Sequence, residues 1–238
     1  MMKTVIVLMV AAFSAGCLGI VDANQDAKAK YLTGVQHFRQ STIRIQANKV
    51  IYFDPFQVAG EAHDADLVMI THTHGDHFSI PDLKKVINPQ TILVITADAV
   101  AKAKEAGISK IVEVVPSHEY EVAGVKFKTV PAYNTNKQFH PKENKWVGYI
   151  LYQNKISYYI AGDTDLIPEM KDIKVDVAFL PVGGTYTMTA DEAAQAANLI
   201  KPKVAVPIHF GDVVGTLDDA KKFISRLDPK IAGVILKQ

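Results

Sequence analysis

The apolar positions of this chain fall into short runs separated by polar or turn-forming residues, and the period of each run names its element. Thr42–Gln46 alternates in sign and, with Lys49–Phe53, predicts two short strands around Ala47-Asn48, the second stopped by Asp54-Pro55. Asp66–Ile70 reads as a buried strand that runs straight into a His-rich loop. Pro81–Ile87 predicts a helix with Ser79 as its N-cap, Thr91–Ile95 a strand, Ala97–Ala106 a helix closed by Gly107, and Ile111–Val115 a strand. The middle of the chain is hairpin-like, with strands at Glu119–Val122, Val125–Val130, Val147–Gln153 and Lys155–Ala161. Val175–Val182 is an apolar strand. Thr189 to Glu192 form a capping box that opens a helix to about Ile200, and Pro202 ends it. Val204–Phe210 predicts a strand, Leu217–Leu227 a helix capped by Thr216, and Gly233–Leu236 a last strand.

Strands dominate the middle, and strand–helix alternation dominates both flanks. That mixture predicts an α/β (α+β) domain in which two sheets pack face to face with helices outside, a four-layer αββα sandwich. Ahead of it lies a segment of another kind. A weakly basic start, the apolar run Val5–Phe13 and the small residues Ser14, Ala15 and Gly16 have the shape of a secretory signal. The run is too short for a comfortable membrane span. Two fates fit it: lipidation of Cys17, since Ala15-Gly16-Cys17 fits a lipobox although Ser14 stands where Leu is usual, or cleavage after Ala23. The expected organisation is a leader over 1–23, a polar tether over 24–33 and a folded domain over 34–238. The location is then extracytoplasmic or periplasmic, with membrane attachment through Cys17 in the lipidated case.

Composition narrows the chemistry. Twenty-six Lys+Arg against 25 Asp+Glu leave a net charge of +1, which gives no basic surface for nucleic acid. The one cysteine, Cys17, lies in the leader, so the domain has neither a disulfide nor a thiolate metal site. Any metal must be held by nitrogen and oxygen.

Thr71-His72-Thr73-His74-Gly75-Asp76-His77 supplies such donors. In an extended segment residues two apart point the same way, so His72 and His74 can reach one ion. Gly75 permits a tight turn, beyond which Asp76 and His77 can reach a second. Imidazole with carboxylate suits zinc, manganese or iron.

The order His72-x-His74-x-Asp76-His77 resembles the signature of the metallo-β-lactamase superfamily, and the resemblance spans most of residues 34–238. Val50 to Pro55 look like its early strand ending in Asp-Pro, Gly162-Asp163-Thr164 like its Gly-Asp-Thr segment, and Pro207 to Gly211 like its late strand ending in a metal-binding His. Among its branches the chain is most similar to the ascorbate-6-phosphate-lactonase-like and N-acyl-phosphatidylethanolamine phospholipase D-like hydrolases. The resemblance implies two divalent ions, zinc favoured: the first on His72 and His74, the second on Asp76, His77 and His209, with Asp163 between them. It also implies a metal-activated hydroxide that attacks an ester, lactone, amide or phosphodiester bond of a small molecule or lipid, with Asp76 and His209 as the catalytic groups.

One departure stands out. Family members carry a third His for the first ion after a mid-chain strand, and the matching stretch here is Val130-Pro131-Ala132-Tyr133-Asn134. Asn134 could offer its oxygen, His140 could come from the following loop, or the first site could be weak. The last case keeps open a non-catalytic metal-binding protein on the same fold. Tyr133, Lys137 and His140 in one loop, and Thr185 and Tyr186 in another, are the candidate substrate contacts. Trp146 is either core or site wall, and His37, His63 and His118 have no ligand partner at useful spacing.

Overall fold

The computed structural model describes residues 25–237; the expectations for the leader, Cys17 included, lie outside the described residues. Six strands form one sheet in the order β1-β2-β3-β4-β5-β6, and seven form the other in the order β13-β12-β11-β10-β9-β8-β7. The first comprises β1 (Val35–His37), β2 (Ile43–Gln46), β3 (Val50–Phe53), β4 (Leu67–Met69), β5 (Ile92–Thr96) and β6 (Ile111–Val114). The second comprises β7 (Glu119–Val122), β8 (Val125–Pro131), β9 (Val147–Gln153), β10 (Ile156–Ile160), β11 (Val177–Pro181), β12 (Val204–Ile208) and β13 (Ala232–Gly233). From β3 to β6 the pairings are parallel, as they are from β10 to β13, while the hairpins β7–β8, β8–β9 and β9–β10 are antiparallel.

One apolar layer lies between the sheets. Ile43, Ile45, Ile51, Phe53 and Leu67 of the first sheet meet Phe127, Tyr149, Ile160, Phe179 and Val206 of the second. Two further clusters lie outside. Helices α2 (Ile80–Val86) and α3 (Val100–Glu105) cover the first sheet, and α4 (Ala190–Ile200) and α5 (Leu217–Ser225) cover the second. Because both faces of the parallel strands are covered, they are apolar throughout rather than alternating; β11 and β12 are buried along their whole length. The arrangement is the αββα sandwich that the pattern predicts.

Local chemistry sets the helix starts. Ser79 caps α2, and Thr189 with Glu192 and Thr216 with Asp219 form complete capping boxes at α4 and α5. Three expectations need correction. The predicted helix 97–106 opens as a 3-10 turn, Ala97–Ala99, because the Thr96 hydroxyl bonds the Asp98 carboxylate and caps no backbone N–H. The predicted strand Gly233–Leu236 pairs only at Ala232–Gly233. The stretch expected as a tether is helical over 25–31 (α1), and Ala27, Tyr31 and Leu32 pack against the inter-sheet core. Its polar residues form the outer side of a short amphipathic turn, which composition alone cannot separate from a linker.

The two sheets are fastened together at one end. The Tyr149 hydroxyl donates to the Ile70 carbonyl at 2.7 Å, and Val147 N donates to Thr71 O at 3.2 Å. That end holds the C-terminal ends of β3, β4, β10 and β12.

Candidate metal centre

Each of those strand ends delivers a side chain. β4 runs into Thr71 and His72, and the turn after it brings His74, Asp76 and His77. β10 is followed by Gly162, whose positive φ of 69° turns the chain so that Asp163 faces inward. β12 ends at Ile208, and His209 turns away from the strand with φ 59°. The backbone of Gly183 lies against it: a Cβ there would stand 2.7 Å from the His209 carbonyl and 2.4 Å from Val214 Cγ2.

Donor atoms from three triads lie within 4.8 Å of one another: His72, His74 and His140; His72, His77 and Asp163; and Asp76, His77 and His209. Asp163 is at the middle. Its Oδ2 lies 3.8 Å from His72 Nε2, 3.4 Å from His77 Nε2, 3.3 Å from His140 Nε2 and 3.1 Å from His209 Nε2. Asp76 Oδ2 is 3.5 Å from His77 Nε2 and 3.6 Å from His209 Nε2.

This donor set fits metal ions. Ligands about 2.0–2.1 Å from a tetrahedral centre are spaced about 3.3 Å from one another, which is the spacing seen. His77 Nε2, His140 Nε2 and Asp163 Oδ1 are moreover buried without a hydrogen-bond partner, a costly state unless a cation satisfies them. Burial pushes His72 well below the ordinary imidazole range and lowers His74, so both present neutral lone pairs. Burial opposes the charging of His77, but Asp163 and Asp54 outweigh it and hold the ring well above its usual range in the metal-free protein. Burial likewise works to raise Asp163, and the His209 and His77 rings more than offset it, leaving the carboxylate ionised.

Of the two candidates for a third donor, geometry brings His140 to the pair. His140 lies in the triad with His72 and His74. Asn134 does not offer its oxygen there: Oδ1 accepts from the His140 backbone N at 3.0 Å and sits 3.1 Å from its Nδ1. Of the substrate-contact candidates, Lys137 is pinned, its Nζ 2.6 Å from Asp165 Oδ1. Tyr133 donates to Glu169 at 3.0 Å and accepts from Lys142 at 3.2 Å. Thr185 is exposed, and Tyr186 meets Phe139 edge-on at 4.7 Å between centroids. Trp146 is both core and wall: it is 6% exposed, packs against His72 and His74 at 4.9 Å, and donates from Nε1 to Asp98 at 2.7 Å.

Sequence reasoning missed two supporting residues. Asp54, fully buried, accepts from Thr71 N, from Thr71 Oγ1 at 2.6 Å and from His77 Nδ1 at 2.7 Å. The Thr71 hydroxyl in turn lies 2.9 Å from His72 Nδ1, so one carboxylate orients two histidines. Gln40, also fully buried, donates from Nε2 to Asp76 Oδ2 at 3.2 Å, and its carbonyl accepts from His209 N at 2.8 Å. The Asp-Pro stop at Asp54 was a visible signal; Gln40 carried none.

A family model described as a beta-lactamase superfamily domain matches residues 35–209. The chain belongs to this superfamily. Relatives named UPF0173 metal-dependent hydrolases match most of the chain: that of Thermococcus onnurineus is 30% identical over 219 residues, covering 85% of this chain and 96% of the relative. That of Methanopyrus kandleri is 34% identical over 169 residues, 67% of this chain and 73% of its own. A solved structure described as a metal-dependent hydrolase from Parabacteroides distasonis has 32% identity and a TM-score of 0.72, covering 85% of this chain and 93% of that one. The diiron β-hydroxylase CmlA of Streptomyces venezuelae, 13% identical, shares the fold with a TM-score of 0.69 over 86% of this chain and 52% of its own. The superfamily member described here is a metal-dependent hydrolase with clustered His and Asp side chains able to bind metal ions.

Proposed function

We propose that this hydrolase holds two divalent ions, zinc by preference, and cleaves an ester, lactone, amide or phosphodiester bond in a small molecule or lipid. The observation that carries the reading is the position of Asp163 Oδ2, within 3.1–3.8 Å of an Nε2 from each of four histidines drawn from both outer triads. His72, His74 and His140 would hold one ion, Asp76, His77 and His209 the other, and Asp163 would contact both. An all-nitrogen-and-carboxylate set suits zinc and also admits manganese and iron. Ions so placed supply Lewis acidity and bring the pKa of a water toward neutrality.

The chain's own groups do the rest. Asp76 is the member of the second triad most open to solvent, its side chain 19% exposed. Burial works to raise its carboxyl, but His77 and His209 offset this and bring it to about 2. It is therefore ionised at neutral pH and placed to accept or orient the proton of the attacking water. His209, its backbone fixed by Gln40, keeps its ring against that carboxylate. Trp146 closes one side of the histidine cluster and excludes water from it. The chain's closer likeness to the lactonase-like and phospholipase D-like branch supports ester and phosphodiester substrates over β-lactams. The leader supports an extracytoplasmic location; radiolabelled palmitate incorporated by the full chain and lost in Cys17→Ala would establish the lipid-anchored form, and no incorporation would favour cleavage after Ala23.

Metal content by elemental analysis, on protein purified without chelator, is the deciding test. Close to two ions per chain supports the dinuclear reading and leads to ester, lactone and phosphodiester panels; one ion or none would overturn it.

A further inference from the structure

Asn134 lies in the stretch that the family resemblance matches to a metal-binding histidine, and every polar atom of its side chain is engaged. Its Nδ2 donates to Asp165 Oδ1 at 3.1 Å and to the Tyr186 carbonyl at 2.9 Å, both of which only accept. Its Oδ1 faces the His140 backbone N–H and the His140 Nδ1. Turning the amide over would set its oxygen against two acceptors and its NH2 against a backbone donor, so the orientation is determined by the network. Asp165, 2% exposed, is equally committed: Lys137 Nζ and Asn134 Nδ2 bond one oxygen, and Thr135 N and Oγ1 bond the other.

The consequence falls on His140. In the neutral ring, with the Asn134 oxygen opposite it, Nδ1 carries the one proton and Nε2 is left with its lone pair. That lone pair is buried, lacks a hydrogen-bond partner and lies 3.3 Å from an Asp163 oxygen. Two electron-rich atoms held so close call for a cation between them. We infer that Asn134 is a positioning residue: clamped by Asp165 and Lys137, its amide fixes the Nδ1–H tautomer of His140 and aims Nε2 at the first ion. The inference rests on the reading of His140 as a ligand. It also assigns Lys137 a task other than substrate binding, since its ammonium neutralises the carboxylate that holds the clamp. Asn134 thus serves the first site as the support for a histidine six residues on.

The test needs no hydrolysis assay. In metal-free protein labelled with 15N-histidine, at a pH where His140 is neutral, long-range 1H–15N spectra should show His140 as the Nδ1–H tautomer. Asn134→Leu should shift it toward Nε2–H and weaken zinc binding at the first site by about 10–100-fold, with the second site unchanged. An Nε2–H tautomer in the wild-type protein would overturn the proposal even if Asn134→Leu failed to fold, as would a folded Asn134→Leu with unchanged tautomer and zinc affinity. An unchanged zinc count in His140→Ala would instead sink the ligand reading beneath it.

Discussion

The two halves of the metal centre are held in different ways. Asp76, His77 and His209 stand on strand ends and on backbone. His77 is bonded to a buried carboxylate, Asp54, and His209 N donates to the Gln40 carbonyl. The backbone there is strained, with Gln40, Asp54 and His209 all at positive φ, 50°, 45° and 59°. Such conformations cost about 1–3 kcal/mol each and persist only where the surroundings enforce them. The triad of His72, His74 and His140 has no residue at positive φ. Its His74 is only part-buried, and its His140 comes from a loop and is fixed by a neutral amide instead of a carboxylate. On this contrast the Asp76–His77–His209 triad is expected to hold an ion more firmly and the His72–His74–His140 triad to exchange one more readily. A chelator titration should therefore remove the ion of the His72–His74–His140 triad first.

The largest effect should come from the atom that both halves share. Asp163→Ala removes the oxygen near four histidines and should cost the protein both ions, read by elemental analysis; His140→Ala should cost only one. Equal losses in the two variants would erase the distinction between the halves.

Asp54→Ala strikes the rigid half directly, through His77, and reaches His72 of the other half only by way of the Thr71 hydroxyl. It leaves Thr71 N–H and His77 Nδ1 buried and unpaired, and breaking a buried charged pair of this kind costs about 3–5 kcal/mol. In a domain of this size that is a fall in Tm of about 6–20 °C. Asn134→Leu, its counterpart in the other half, should lower Tm far less. Comparable losses of stability would mean that both supports are structural and that the carboxylate has no special place.

Much of this was legible beforehand. β9 and α4 begin and end where hydrophobic period and capping box place them, because both signals are local. The His72–His77 motif is local too. Asp163 and His209 came only with the family resemblance, since each alone is an ordinary turn or strand-end residue. What stayed hidden depends on distant partners. Asp54 meets a histidine 23 residues on and Gln40 one 169 residues on; the Asp-Pro stop marks Asp54 as a strand end without naming its partner, and nothing near Gln40 marks it at all. β1 is three residues long, too short for any period to show.

The acid limb of stability gives the smallest and most specific comparison. Asp76 sits at about 2 in the folded, metal-free protein against an ordinary value of 3.8. A depressed carboxyl contributes stability that is complete above its unfolded pKa and is lost as pH falls toward the folded one. The window is therefore from about pH 4 down to about pH 2, and the contribution is about 2 kcal/mol. Denaturant titrations of chelator-treated protein across that window should show wild type losing about that much more stability than Asp76→Asn. Since the shift arises from His77 and His209, the same loss should be smaller in His77→Ala, which leaves His209 in place, but preserved in His74→Ala, a residue of the other half. If His74→Ala also reduced it, the two triads would be one electrostatic unit and the division between a rigid and an exchangeable half would fail.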